Sequence, residues 1–245
     1  MKKEKLLFIL AGILFVLAIL FAIFDVGINR VGEIKTEQRE VSEFNKIHLS
    51  VPAKLKIKQG DTESLKIKAG EKTLKNIKIE VKDNILIIEQ EKPLFWFGFW
   101  RKEREIILYA NVKDLKEIKV LGSGSVESGL LKTRDLNITI QGSGKIKTKL
   151  HARSLKSTIM GTGILDLQGT AIDQSLFISG SGKYHAEKLR SRNASVDISG
   201  SGDVLVNTKE SLKINISGSG KVLYLGNPEI SQTISGSGKI KKVEK

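Results

Sequence analysis

Seven times between residues 122 and 238 the chain returns to the same tripeptide: glycine, then serine or threonine, then glycine. The first glycines are Gly122, Gly142, Gly161, Gly180, Gly200, Gly218 and Gly236, at intervals of 20, 19, 19, 20, 18 and 18 residues. The second glycines are Gly124, Gly144, Gly163, Gly182, Gly202, Gly220 and Gly238. A nearly constant period of this size signals a repeat architecture. Each repeat is then one supersecondary unit that can bury its apolar face only against its neighbours.

The residues around the tripeptide decide which architecture it is. Two positions before each first glycine stand Val120, Ile140, Ile159, Ile178, Ile198, Ile216 and Ile234, all β-branched. Two positions after each second glycine stand Val126, Ile146, Leu165, Tyr184, Val204, Val222 and Ile240. Alternation with β-branched residues reads as strand, and no spacing of three and four residues suggests a helix. The Leu/Asn pattern of leucine-rich repeats is missing, and so is the G-G-x-G-x-D of calcium-binding nonapeptides. The expected fold is all-β: a β-helix, or β-solenoid, with rungs of 18–20 residues.

Parity assigns the faces. Ile140, Gly142, Gly144 and Ile146 lie an even number of steps apart, so an extended chain points them to one side, inward. Glycine would remove Cβ there, where the wall bends. Gln141, Ser143 and Lys145 then face outward. Stacking the rungs predicts two Ser/Thr ladders and a column of Ser125, Lys145, Ile164, Lys183, Asp203, Lys221 and Lys239, with Asp203 relieving like-charge stacking between two lysines. Lys145, Lys183, Lys221 and Lys239 are the candidate binding residues of this column. Small polar residues also suit the outer corners of any solenoid, which accounts for the ladders without a ligand.

The formal net charge is +14, of which about +12 lies beyond the first five residues. Such a balance favours anionic polymers or anionic lipid head groups. Nucleic acid is disfavoured by the N-terminus. Residues 6–24 form an uninterrupted apolar run, which as a helix would span about 28 Å, close to one hydrocarbon core. Lys2, Lys3 and Lys5 precede it, predicting a cytoplasmic segment 1–5, a single-pass anchor 6–24, a linker 25–34 and an extracytoplasmic solenoid domain 35–243. A cleaved signal peptide is the competing reading. The run is long for one, and Leu20-Phe21-Ala22 is a poor cleavage site. The chain has no cysteine, so disulfides, thiolate metal sites and lipid attachment through a lipobox are excluded.

Upstream of the repeats, residues 54–58, 65–68 and 77–81 alternate as half-buried strands, and 106–109 read as another. Gln59-Gly60-Asp61 and Lys82-Asp83-Asn84 read as turns. Here V-S-E-F-N-K-I-H-L-S-V-P-A-K-L-K-I-K-Q-G-D (41–61), L-K-I-K-A-G (65–70), V-K-D-N-I-L-I-I (81–88) and the serial G-S-G rungs resemble the head GIN domain family, also described as an autotransporter adhesin head domain. The resemblance spans essentially the whole exported region. It implies a right-handed β-helix in an envelope protein without established enzyme activity. The chain departs from lipid-anchored relatives in having a hydrophobic anchor and no lipobox cysteine.

Pro93 to Trp100 holds both tryptophans, Trp96 and Trp100, and lies between two strands as the tip of a hairpin. Three readings stand: a cap on the first rung, an insertion into the membrane interface, or a stacking surface for sugars or a partner protein. No catalytic or metal constellation emerges. His48, His151 and His185 fall in different columns, no G-x-S-x-G elbow is present, and no cofactor is implied. Asp197 and Asp203 share a rung and an outward parity, the one weak candidate for a polysaccharide-active pair. The expectation is a non-enzymatic binding module for an anionic envelope polymer, a glycan or an envelope protein. A structural or regulatory protein acting by association is the alternative.

Overall fold

The computed structural model describes residues 16–17, 33–91 and 105–244. Among these no helix is long and apolar enough to cross a membrane. The expected anchor at 6–24 lies outside the described residues except for Val16 and Leu17, which are helical, and Trp96 and Trp100 lie outside them too.

The strands join one 17-stranded sheet wound into a solenoid of about seven turns. The repeat region supplies β8 (Glu117–Gly122), β9 (Ser125–Lys132), β10 (Asp135–Gly142), β11 (Lys145–Gly161), β12 (Ile164–Gly180), β13 (Lys183–Gly200), β14 (Asp203–Gly218), β15 (Lys221–Leu225), β16 (Glu229–Gly236) and β17 (Lys239–Lys242). Every G-[ST]-G is a corner between a segment before it and a segment after it. Like segments stack in parallel, giving a pre-corner face and a post-corner face. The corners stack in register: Gly142 pairs with Gly161, Gly161 with Gly180, Gly180 with Gly200, Gly200 with Gly218 and Gly218 with Gly236.

Between the faces lies a single apolar core. Val120, Ile140, Ile159, Ile178, Ile198 and Ile216 are buried from one side, and Val126, Ile146, Leu165, Tyr184, Val204 and Val222 from the other. Each such aliphatic side chain contributes about 1.5–3 kcal/mol by leaving water. In the last turn the pattern persists without burial, and Ile230 and Ile234 on β16 are exposed.

One expectation fails at the corner. Gly144 and its equivalents up to Gly220 are buried, but Gly142 is exposed, and none of the seven first glycines is buried. All seven have positive φ, between +92° and +126°. The chain therefore turns at the first glycine, and the alternation that holds along an extended strand is interrupted there. Glycine is required there for the turn, and at the second position for space. A Cβ on Gly144 would stand 2.7 Å from Val120 Cγ1.

The N-terminal turns are not stacked in chain order. β2 (Lys46–Leu49) pairs with both β6 (Ile85–Gln90) and β8 on the pre-corner face. β3 (Lys54–Gln59) pairs with both β7 (Ile107–Val112) and β9 on the post-corner face. The turn β2–β3 thus lies between β6–β7 and β8–β9. Ala53 occupies in it the place of a second glycine, accepting the Ser125 N–H at 2.8 Å as Gly124 accepts that of Lys145 at 3.1 Å. Antiparallel strands extend this end: β1 (Ile34–Arg39) on β4 (Ser64–Gly70), β4 on β7, and β5 (Ile77–Lys82) on β6. A short helix, α1 (Glu71–Leu74), joins β4 to β5. Asp83 and Asn84, both with positive φ, make the β5–β6 hairpin turn.

The segment holding Trp96 and Trp100 joins β6 to β7. These two strands do not pair with each other, because β6 lies between β5 and β2 while β7 lies between β4 and β3. The hairpin expectation is therefore corrected. β6 ends, and β7 begins, where other turns place their G-[ST]-G corner.

Candidate polymer-binding face

Register converts the sequence columns into rows of side chains about 4.8 Å apart. On the post-corner face one column runs Lys54, Ser125, Lys145, Ile164, Lys183, Asp203, Lys221, Lys239. A second runs Lys56, Glu127, Lys147, Asp166, His185, Leu205, Leu223, Lys241. The four lysines singled out from the sequence, Lys145, Lys183, Lys221 and Lys239, are all exposed on this face.

Two acids on this face are engaged by their neighbours. Asp166 accepts from His185 Nδ1 at 2.7 Å and lies 3.4 Å from Lys145 Nζ. Glu127 lies 3.2 Å from Lys54 Nζ. Asp203 stands between Lys183 and Lys221 in the column, yet among the described residues no ion pair closes to it. Lys147, Lys183, Lys221 and Lys239 close no ion pair among the described residues and outnumber the acid Asp203 that stands among them, so the post-corner face is basic.

The face continues onto the N-terminal end with an aromatic residue. Tyr109 on β7 is 39 % exposed. Lys56 Nζ lies 5.5 Å from its ring centroid, within cation–π range. Lys66 on β4 is its cross-strand partner on the other side. The sequence reading missed Tyr109 as a surface residue. Its outward parity beside Leu108 and Ala110 was the available signal.

The pre-corner face differs in chemistry. Its central column is Thr139, Thr158, Phe177, Asp197, Asn215, Thr233. Asn215 Nδ2 donates to Asp197 Oδ1 at 2.6 Å. Asp197 precedes the Gly200 corner and Asp203 follows it, so the two acids lie on different faces. The weak catalytic pairing expected from the sequence is not assembled. The corner itself carries a third ladder, with Ser143, Thr162, Ser181, Ser201, Ser219 and Ser237 all exposed.

The three histidines stay separate. His48 bonds Glu117 at 2.6 Å, His151 bonds Thr170 at 2.8 Å, and His185 bonds Asp166. Inside the core one polar cluster stands out. Tyr184 Oη donates to Gln174 Oε1 at 2.9 Å, and Gln174 Nε2 donates to Ser191 Oγ at 2.7 Å. Burial pushes the Tyr184 phenol far above its ordinary value, and the neighbouring Ser157 hydroxyl offsets only part of that.

Known proteins share this fold. A putative adhesin from Bacteroides fragilis superposes with a TM-score of 0.80 at 28% identity, over 86% of this chain and 97% of that one. A putative lipid binding protein from Parabacteroides distasonis gives 0.72 at 27% identity, over 87% and 98%. A putative adhesin from Parabacteroides merdae shares the fold, with a TM-score of 0.68 at 20% identity, over 87% and 97%. Among curated proteins no relative matches. The family described as "Putative auto-transporter adhesin, head GIN domain" matches residues 43–228. With that span matched, and with the solenoid of its structural relatives, the chain belongs to the head GIN domain family.

Proposed function

We propose that this protein is a non-enzymatic, membrane-anchored extracytoplasmic module whose post-corner face binds a linear anionic polymer of the cell envelope. The observation that carries this reading is the lysine column. Lys145, Lys183 and Lys221 recur every second turn. Two turns correspond to about 10 Å along the solenoid axis, the length of a disaccharide unit. A rigid polymer bearing one charge per two sugars meets one ammonium per repeat. The intervening Ile164 and Asp203 offer apolar contact and a hydroxyl acceptor between charges. The adhesin descriptions of the family and of its structural relatives accord with a binding role. The apolar run at 6–24, preceded by lysines, would hold the module at the membrane with the solenoid outside.

Retention of the full-length chain, in detergent, on immobilised peptidoglycan or anionic glycan tests the reading. Binding at low salt that declines steeply toward physiological ionic strength is expected. Absence of retention on every anionic envelope fraction at low salt would sink it. A second reading, action through protein association, rests on the exposed Ile230 and Ile234 of the last turn. Lys239, Lys241 and Lys242 on the adjoining edge oppose end-to-end stacking of copies.

A further inference from the structure

The parallel ladder opens most widely on the side of the post-corner face away from the G-[ST]-G corner. Ala186 pairs with Val206 and Arg190 with Asn207, so Glu187, Lys188 and Leu189 have no counterpart on β14. Toward β12 the same stretch is bulged: Asp166 pairs with His185 and Gln168 with Lys188, which sets two residues against Leu167 alone. Bulges interrupt pairing and re-aim side chains, and they occur beside binding sites. Here the interruption borders a cleft of about 550 Å³. Gly169, at φ +117°, makes the turn at its edge, where a Cβ would collide with the Leu150 carbonyl oxygen at 1.9 Å.

The cleft sets exposed cations beside a half-buried carboxylate. Lys149, Lys188 and Arg190 line it, and among the described residues none of them closes an ion pair. Glu187 lines it too, and its Oε2 atom is buried without a hydrogen-bond partner. The Glu187 backbone is fixed by Asn207 Nδ2, which donates to its carbonyl at 3.0 Å. A simple anion would satisfy the cations but be repelled by Glu187. A neutral sugar would satisfy Glu187 but leave three cations without partners. A polyol that also carries an anionic group suits both, with a hydroxyl donating to the cleft-facing side of the Glu187 carboxylate and the anion facing the cations.

We infer that this cleft is a specific subsite for one acidic polyol unit, a sugar acid or a polyol phosphate. Its anionic group faces Lys188 and Arg190, and a hydroxyl donates to Glu187. The inference rests on the proposal that the post-corner face holds an anionic polymer, and it names the unit that is read individually.

Calorimetric titration of the full-length chain in detergent tests it with three probes: tetragalacturonate, its methyl ester, and a glycerol phosphate oligomer. Saturable binding of tetragalacturonate or of the phosphate oligomer, but not of the ester, is expected, and the tighter of the two assigns the source. Lys188→Ala/Arg190→Ala should weaken binding at least about tenfold. Glu187→Gln discriminates most sharply. The proposal requires weaker binding in this variant, whereas plain charge attraction requires tighter binding because a repulsive carboxylate is gone. Tighter or unchanged binding in Glu187→Gln, or no saturable binding of either anion, overturns the subsite. Loss of binding in Lys183→Ala/Lys221→Ala but not in the cleft variants also overturns it and leaves the polymer face standing. Thermal melts of each variant confirm that the fold is retained.

Discussion

Gly163 faces the side chain of Ile140 on the preceding turn so closely that a Cβ on it would stand 2.5 Å from Ile140 Cγ2. The contact recurs along the corner, with Gly182 on Ile159 at 2.5 Å and Gly220 on Ile198 at 2.8 Å. Each inward isoleucine thus fills the space its neighbour's glycine leaves, and the two sequence columns are one packing unit. Gly163→Ala overpacks this unit and should cost about 1–3 kcal/mol. Gly161→Ala should cost more. Its φ is +115° and its Cβ would meet the Gly142 carbonyl oxygen at 2.6 Å, an atom already held by the Thr162 N–H. Urea unfolding of both variants checks the order, and an equal or reversed ranking contradicts the corner geometry.

Tyr184→Phe removes the donor to Gln174 Oε1 inside the core. The orphaned acceptor should lower stability by about 1–3 kcal/mol. Adding Gln174→Leu removes the acceptor as well and should recover part of the loss, since both partners are then apolar. A double-mutant cycle by chemical denaturation measures the coupling. Additive losses would mean that the hydrogen bond does not stabilise the fold.

The same tyrosine sets an alkaline limit. Its folded-state pKa is raised by burial, whereas an unfolded phenol ionises near about pH 10. The stability it contributes is therefore fully present below that pH and is lost as the pH climbs from there toward the folded value. Melting temperature should fall more steeply above about pH 10 in the parent protein than in Tyr184→Phe. Parallel alkaline limbs would contradict this assignment.

Lys183→Ala/Lys221→Ala should leave stability within about 0.5 kcal/mol of the parent, because both side chains are exposed and close no ion pair among the described residues. Retention on an anionic polymer should nevertheless drop and become less sensitive to salt. Unchanged retention and unchanged salt dependence would remove this column from the binding face.

Legibility from the sequence followed the physics of stacking. Where one turn repeats the last with a corner at the same place, parallel pairing brings equal positions together. The Lys145, Ile164, Lys183, Asp203, Lys221, Lys239 column could therefore be read residue by residue before any coordinate was known. The inward isoleucines were equally legible, because a period-two pattern with one buried face permits only one register. Parity carried across the corner was not, since it assumes an extended chain. The positive φ at Gly142 and its equivalents breaks that assumption. The engagement of Asp166 by Lys145 was hidden too, because it crosses between turns diagonally, Lys147 being the residue in register with Asp166.

The sequence by itself thus determined the solenoid, its period, its apolar interior and the lysine column, all consequences of local alternation repeated at a nearly constant interval. The tertiary structure decided what depends on departures from that repetition. It placed β2–β3 between β6–β7 and β8–β9, a stacking order that no local pattern encodes. It divided the exposed polar residues into a basic face and a hydroxyl-rich one. The interval from Gly180 to Gly200 is two residues longer than the next, which shows that extra chain exists in that turn. Only the register places three unpaired residues at Glu187–Leu189, offset by one extra residue on β14 between Thr208 and Ser211, because an insertion settles wherever breaking the ladder costs least. That is the end of the post-corner face away from the corner, where Lys188 and Arg190 are exposed while Leu189 stays in the core.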